Sequence, residues 1–300
     1  MFTRRSAWCA AAVTILSLCW AGCAGHKALL SRRAPYSVLT ELHAESAQQK
    51  ALIAKNCLFG KPQKDADWGF GPTDFVYREG YVLEHSATDK IPLWVCEGLT
   101  PEQLNGHAAR NDAFAPDPLL KAGRRAELAD YKGSGYDRGH MAPAGDQTVD
   151  AELKKETFFL SNMSPQTPAH NQQMWAALEE QVRQWALDND STFVITGGLF
   201  YDPKDDDPST ADGTIEYYII GKDGVAVPTH FFKIVVAKHN GGEWRSIAFV
   251  QENRKYTRPF DFSKYVVSID WIEEHCGLNF MPDLPAADES RLESTPSIMW

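Results

Sequence analysis

"NQQMWAALEEQVRQWALDND", residues 171–190, carries the clearest helical period in the chain. Met174, Trp175, Leu178, Val182 and Trp185 fall on one apolar stripe, which predicts an amphipathic helix laid on a core. Four segments rich in β-branched and aromatic residues follow: "STFVITGGLF" (191–200), "GTIEYYIIG" (213–221), "VAVPTHFFKIVVAKH" (225–239) and "WRSIAFVQEN" (244–253). They read as strands of one antiparallel sheet. The expected fold class is α+β, an antiparallel β-sheet core flanked by helices.

The same reading extends toward the N-terminus. "TDFVYREGYVLEHSATDKIPLWVCEGLT" (73–100) predicts two strands joined by a polar turn, and "SVLTELHAESAQQKALIAKNC" (37–57) a surface helix. Residues 105–135 form a long irregular stretch with Pro116 and Pro118; such loops are often functional. "ETFFLSNMSP" (156–165) predicts a short strand ending at Pro165, and "SIDWIEEHCGL" (268–278) a short helix.

The chain has 300 residues, 43% hydrophobic and 23% charged, as in an ordinary globular protein. A formal net charge of -10 excludes a polyanion-binding surface spread over the whole molecule. Nucleic acid would have to be handled through a local basic cleft. Lys121, Arg124, Arg125, Lys132 and Arg138, together with Arg110 and Arg183, are its candidate lining; the alternative is a solvated basic loop.

Arg4 and Arg5 precede an apolar run from Ser6 to Trp20 and then small residues, a secretory signal pattern. "WAGC" (20–23) resembles a bacterial lipobox, with Trp20 where Leu is usual. The expected organisation is a signal peptide over 1–22, a tether over 23–37, one catalytic-size domain over 38–285 and a mobile tail over 286–300. Cys23 would carry a lipid and attach the chain to the cell envelope; ordinary cleavage would instead release it to the periplasm or medium. Cys57, Cys96 and Cys276 remain in the body, which allows one disulfide and one free thiol. None of the cysteines has metal-site spacing.

"YDRGHMAPAGD" (136–146) places Asp137, Arg138 and His140 around Gly139 in a segment too polar for a core. Alone, such a cluster is more often a surface salt bridge. Asn171 opens the long helix, with Glu179 and Arg183 eight and twelve residues on. At about 100° per residue, Glu179 lies about 80° around from Asn171 and Arg183 about 40° further. Asn171 should then point with the apolar stripe, and the other two should lie at its edge. An N-cap role for Asn171 and an i,i+4 ion pair for Glu179 and Arg183 are the plainer readings.

"YDRGHMAPAGD", "FFLSNMSPQTPAHNQQMWAALEEQVR" and "VPTHFFKIV" together resemble the DNA/RNA non-specific endonucleases of the ββα-metal superfamily, the Serratia-type and endonuclease G-like nucleases. The resemblance spans roughly 75–284 and implies a ββα-metal active-site motif. By it, His140 matches the general base, Asn171 the single protein ligand of a Mg²⁺ ion (or Mn²⁺), and Glu179 a carboxylate holding metal-bound water. Arg110 matches a transition-state arginine and Asn162 a residue that places catalytic groups. Arg138 and Arg183 match substrate-side arginines.

Elementary chemistry agrees with those roles. A neutral imidazole can take a proton from water near neutral pH. Mg²⁺ prefers oxygen ligands and keeps several waters, and arginines grip phosphate bidentately. Asp137 reads as structural, fixing its own loop. The sequence therefore predicts an exported Mg²⁺-dependent endonuclease for DNA and RNA with little sequence preference. The rivals are a phosphodiesterase for smaller nucleotide esters and a non-catalytic nucleic-acid-binding surface lipoprotein. The oligomeric state, a homodimer included, is left open.

Overall fold

In a computed structural model the described residues are 26–31, 44–110, 112–207 and 209–300. The expected signal peptide, Cys23 and residues 37–43 of the expected surface helix lie outside them. In chain order the strands are β1 (His26–Ser31), β2 (Gln63–Lys64), β3 (Thr73–Tyr77), β4 (Val82–Ser86), β5 (Pro92–Leu99), β6 (Asp137–His140), β7 (Met163–Gln166), β8 (Ser191–Leu199), β9 (Thr214–Ile220), β10 (Val225–Val227), β11 (His230–Lys238), β12 (Trp244–Glu252), β13 (Val266–Val267) and β14 (Leu278–Asn279). The helices are α1 (Ala47–Asn56), α2 (Pro101–Leu104), α3 (Leu128–Tyr131), α4 (Ala151–Glu156), α5 (Ala176–Asp188), α6 (Ile269–Cys276) and α7 (Ala286–Leu292), with a π-helical turn over His170–Trp175 leading into α5.

Seven strands form the central antiparallel sheet in the order β13-β12-β11-β8-β5-β4-β3. The interior strand β11 is buried over all but its end residues. Successive side chains of a strand face opposite sides. Phe231 and Val235 join one core with Trp175, Leu178, Val182 and Trp185 of the long helix. Phe232, Ile234 and Val236 join the other with Ile272 of α6 and Phe280. The sheet is thus covered on both faces, which explains its near-continuous apolar strands. Lys233 shares the parity of Phe231 and faces the long helix, a cation inside the core.

Local chemistry sets the helix ends. Ser46 caps α1 in a capping box with Gln49. Ser268 accepts the Trp271 N–H to start α6, and Gly277, at φ 70°, closes it in the left-handed conformation.

The α+β class stands, with four corrections. Residues 73–100 make three strands rather than two, because "EHSATDKIP" turns the chain once more between β4 and β5. The four strands expected in one sheet divide: β9 leaves it and pairs with β1 and β10 in a separate three-stranded sheet. Part of the expected tether is therefore strand β1; backbone pairing to an open edge accepts almost any extended chain. The C-terminal segment packs instead of hanging free. Leu292 is buried, its carbonyl accepts from Ser246 Oγ, and the Trp300 ring lies 5.1 Å from that of Trp185. No disulfide forms among the described cysteines: Cys57, Cys96 and Cys276 are free thiols. Among the described residues, no helix is long and apolar enough to cross a membrane.

Candidate active site

β6 and β7 pair as a short antiparallel ribbon, with Asp137 opposite Gln166, Arg138 opposite Pro165 and His140 opposite Met163. The ribbon leads into the π-turn and α5, giving the expected strand–strand–helix unit. Gly139 is required here: a Cβ on it would sit 2.0 Å from Gln166 Oε1. That contact explains why the acid, the base and the imidazole are arranged around a glycine.

His140 ends β6. Its ring packs edge-on against Phe158, with centroids 5.0 Å apart, and near Phe114 at 5.8 Å. Its Nε2 is buried without a hydrogen-bond partner. Burial first, then the positive charges of Arg110 and Arg138 against the opposing pull of Asp112, push the imidazole down to about 3. The ring is therefore neutral throughout the physiological range. Its backbone is fixed from two sides. The Trp175 indole N–H donates to the His140 carbonyl at 3.4 Å. Asn162, fully buried, accepts from Ala142 N–H at 2.9 Å and donates to the Ala142 and Thr157 carbonyls at 2.8 and 2.9 Å. Asn162 is thus a positioning residue that clamps the chain two residues beyond the imidazole.

Asn171 sits in the π-turn, with its N–H on the Thr167 carbonyl at 2.9 Å. The Ala176 N–H reaches back to the Asn171 carbonyl, five residues earlier. Such wide turns insert one extra residue into an α-helix and recur at functional sites. The insertion changes the angular expectation. Counted as about seven α-steps rather than eight, Glu179 returns to within about 20° of Asn171, and Arg183 to within about 20° on the other side. Asn171, Glu179 and Arg183 thus share one line beside the apolar stripe, instead of Asn171 lying within it.

Asp137 takes a larger part than the sequence suggested. Its Oδ2 accepts from Asn171 Nδ2 and from Gln172 Nε2, each at 2.8 Å. A carboxylate only accepts, so the Asn171 amide nitrogen must face it, leaving the amide oxygen free. Asp137 therefore ties the ribbon to the helix start rather than fixing its own loop.

Two arginines remain near the imidazole. Arg138 lies over the Phe114 ring at 4.1 Å. Arg110 is largely exposed, pairs with Asp112 at 2.6 Å and lies 5.4 Å from the Phe158 ring. Other members of the expected basic cleft are engaged elsewhere. Arg124 pairs with Asp74 at 2.8 Å, and Arg125 pairs with Glu127 at 3.0 Å and donates to two carbonyls. Arg183, read as a substrate-side arginine, is held by Asp146 at 2.9 Å and Glu180 at 3.0 Å. It belongs to a charge cluster behind the site.

That cluster is drawn from four separate segments and forms no motif in the sequence. It comprises Glu97, Asp146, Glu179, Arg183 and Lys233. Lys233 is buried, donates to Thr196 Oγ1 at 2.8 Å and lies 4.9 Å from the Trp175 ring. Both carboxylate oxygens of Glu97 are buried without partners, and burial raises its pKa well above the ordinary range. Glu179 is pushed up to about 7: burial outweighs the help of Lys233, Arg183 and Arg110, and Asp146 adds repulsion. Lys233 within "HFFKIVVAK" and Glu97 within "PLWVCEGL" were the available signals, charges inside apolar strands.

The donor set limits the metal. Among the described residues, no three His, Cys, Asp or Glu side chains gather around a point that could hold an ion. Zinc-type coordination does not fit. The donors on offer, the free Asn171 amide oxygen and the half-buried Glu179 carboxylate, are of the oxygen type that a hard cation keeping several waters accepts.

Residues 69–287 match the family described as DNA/RNA non-specific endonuclease. Human mitochondrial endonuclease G is 38% identical over 213 residues, covering 70% of this chain and 70% of that protein. Nuclease C1 of Cunninghamella echinulata var. echinulata is 35% identical over 215 residues, 70% of this chain and 84% of its own. The crystal structure of an EndoG/EndoGI complex superposes with a TM-score of 0.70 at 28% identity, covering 83% of this chain and 96% of that one.

Proposed function

We propose, from the fact that the chain belongs to the DNA/RNA non-specific endonuclease family and is a nuclease, that it hydrolyses DNA and RNA phosphodiesters with His140 as general base and one Mg²⁺ held by Asn171. The observation that carries this reading is the Asp137 bridge. One carboxylate, three residues before a neutral imidazole, orients the amide whose oxygen is left open to a cation.

The chain's own groups supply most of the reaction. The neutral His140 ring accepts a proton from the attacking water as a new P–O bond forms and one ester P–O bond breaks. Arg138 and Arg110 face the charge that builds on the phosphate oxygens; Arg110 is free to do so once it leaves the exposed pair with Asp112. Burial first, and then the same two arginines, weaken the base in the free enzyme. An arriving phosphate offsets the arginine part of that shift. Bound Mg²⁺ would add Lewis-acid charge neutralisation and a proton donor for the leaving oxygen. Glu179 would orient the water around it, and Asn162 keeps the His140 segment in place.

Supercoiled plasmid and a structured RNA, each incubated with Mg²⁺, Mn²⁺ or EDTA, test the reading. Cleavage of both at unrelated positions, stopped by EDTA and by His140→Ala, is expected. Cleavage that survives EDTA, or is confined to a chromogenic bis-ester, would overturn it. Export by residues 1–22 and lipid attachment at Cys23 are part of the proposal and rest on the leader pattern alone.

A further inference from the structure

The loop after β12, residues 253–264, belongs to none of the motifs above. It carries Arg254, Lys255, Arg258 and Lys264 against the single acid Asp261, in a chain whose formal net charge is -10. All four cations are exposed. Arg254 pairs with Glu252 while lying over Tyr256 at 4.7 Å, and Lys264 pairs with Asp261 at 3.5 Å. Among the described residues, Lys255 and Arg258 form no ion pair; Arg258 rests on the Phe260 ring at 4.8 Å, which extends its guanidinium over an aromatic face.

The loop is fastened to the site. Asn253 accepts from Thr167 N–H at 2.8 Å and donates to the Pro165 and Pro228 carbonyls at 3.0 and 3.1 Å. Thr167 is the residue whose carbonyl receives the Asn171 N–H, and Pro165 is the partner of Arg138 in the ribbon. Tyr256 packs against His170, the neighbour of Asn171, at 5.8 Å. Met174 of the π-turn lines a small polar recess together with Tyr256, Pro259, Phe260, Lys264 and Tyr265. Four exposed cations, two of them (Arg254 and Arg258) resting on aromatic rings, in a loop anchored to the turn that carries the metal-side amide, have the chemistry of a phosphate-backbone contact.

We propose that the 253–264 loop is a second phosphate-contact surface, on which Lys255 and Arg258 hold the backbone of the nucleic-acid strand running past the cleaved bond. The inference deepens the nuclease reading and rests on it for the identity of the strand. A backbone contact carries no base code, so it lengthens the footprint without creating sequence preference. It also reconciles an acidic protein with a polyanionic substrate: attraction is local to the site.

The test measures binding separately from cleavage. Fluorescence anisotropy of a labelled single-stranded DNA of about 30 nucleotides is followed in EDTA, from about 50 to 200 mM salt. Proteins compared are the wild type, Lys255→Gln/Arg258→Gln, and Lys50→Gln/Lys222→Gln, which makes the same change in net charge elsewhere on the surface. The loop variant should bind about tenfold more weakly, and its slope of log affinity against log salt should shrink by about 1.4, roughly 0.7 for each lost contact. Turnover of the p-nitrophenyl ester of thymidine 5′-phosphate with Mg²⁺ should change by less than about twofold, since so small a substrate cannot reach the loop. Equal weakening in the control pair, an unchanged salt slope, or no binding by the wild type would overturn the proposal. Plasmid cleavage with loop-independent binding removes only the loop. Loop-dependent binding by a wild type that cleaves nothing leaves the loop standing and removes the catalytic reading.

Discussion

Glu179→Gln should make the metal-free protein more stable while abolishing its activity. The carboxyl is shifted from an ordinary 4.5 to about 7, chiefly by burial. A folded-state pKa above the unfolded one means that folding favours the protonated acid. Between pH 4.5 and 7 the folded state keeps a proton that the unfolded state has lost, so stability falls as pH rises through this window and the full cost is present above about 7. At 1.36 kcal/mol per unit the cost is about 3 kcal/mol, reduced to about 2 because the side chain is only partly out of water. An isosteric amide carries no such cost. Urea unfolding in EDTA should therefore show the variant about 2 kcal/mol more stable than wild type at pH 8 and less than about 1 kcal/mol more stable at pH 5. Plasmid cleavage should fall by about 10²-fold or more. Mg²⁺ should stabilise the wild type and have less effect on the variant, because the cation compensates the same charge. A variant that is less stable at pH 8, or equally stabilised at both pH values, would refute the reasoning. Glu179 would then be a satisfied partner of Lys233 and Arg183 rather than a carboxylate kept waiting for a cation.

The other predictions address the remaining parts of the site. His140→Ala should lose about 10² to 10⁴ in rate and gain nothing from extra Mg²⁺, whereas Asn171→Ala should recover part of its activity at high Mg²⁺; the reverse pattern in rate against Mg²⁺ concentration would exchange their roles. Asp137→Ala should behave like a milder Asn171→Ala, with Mg²⁺ affinity down about 10-fold or more, because its carboxylate only orients the amide. The imidazole of His140, pushed down to about 3, should remain neutral in an NMR titration of the metal-free protein down to pH 5, and protonation near 6.5 would show that the ring is hydrated. Mass spectrometry of the mature, membrane-extracted chain should find a lipid-modified Cys23; a free terminus elsewhere, as from an organelle-type leader, would leave the lipoprotein reading without support.

What the sequence disclosed and what it withheld divide along physical lines. Elements whose side-chain period matches their burial were legible. Met174, Trp175, Leu178, Val182 and Trp185 are all buried as the helical stripe requires, and β8, β11 and β12 are the apolar strands they look like. The site residues were found through motif resemblance, and Gly139 then acquires a steric reason in Gln166. Three features had no local signature. Whether neighbouring strands share a sheet depends on long-range pairing, so β9 could leave with β1 and β10 without changing its own sequence. The packed C-terminus relies on Trp300 meeting Trp185 and on Arg245 lying over Trp300 at 4.2 Å, contacts between segments far apart in the chain.

The π-turn is the most consequential of the three. One inserted residue leaves the apolar stripe recognisable, since that stripe begins within the turn and is read mostly along α5. The same insertion rotates everything before it by about 100° relative to everything after it. A regular helix would have turned Asn171 into the stripe and left Glu179 about 80° away. The wide turn brings amide and carboxylate onto one line, and Asp137 then holds the amide there. A helix built for the best hydrogen bonding could satisfy the core or align the site, but not both with this sequence. The departure from regular geometry lies where the chemistry requires it, and it is a place where a reading based on period alone must fail.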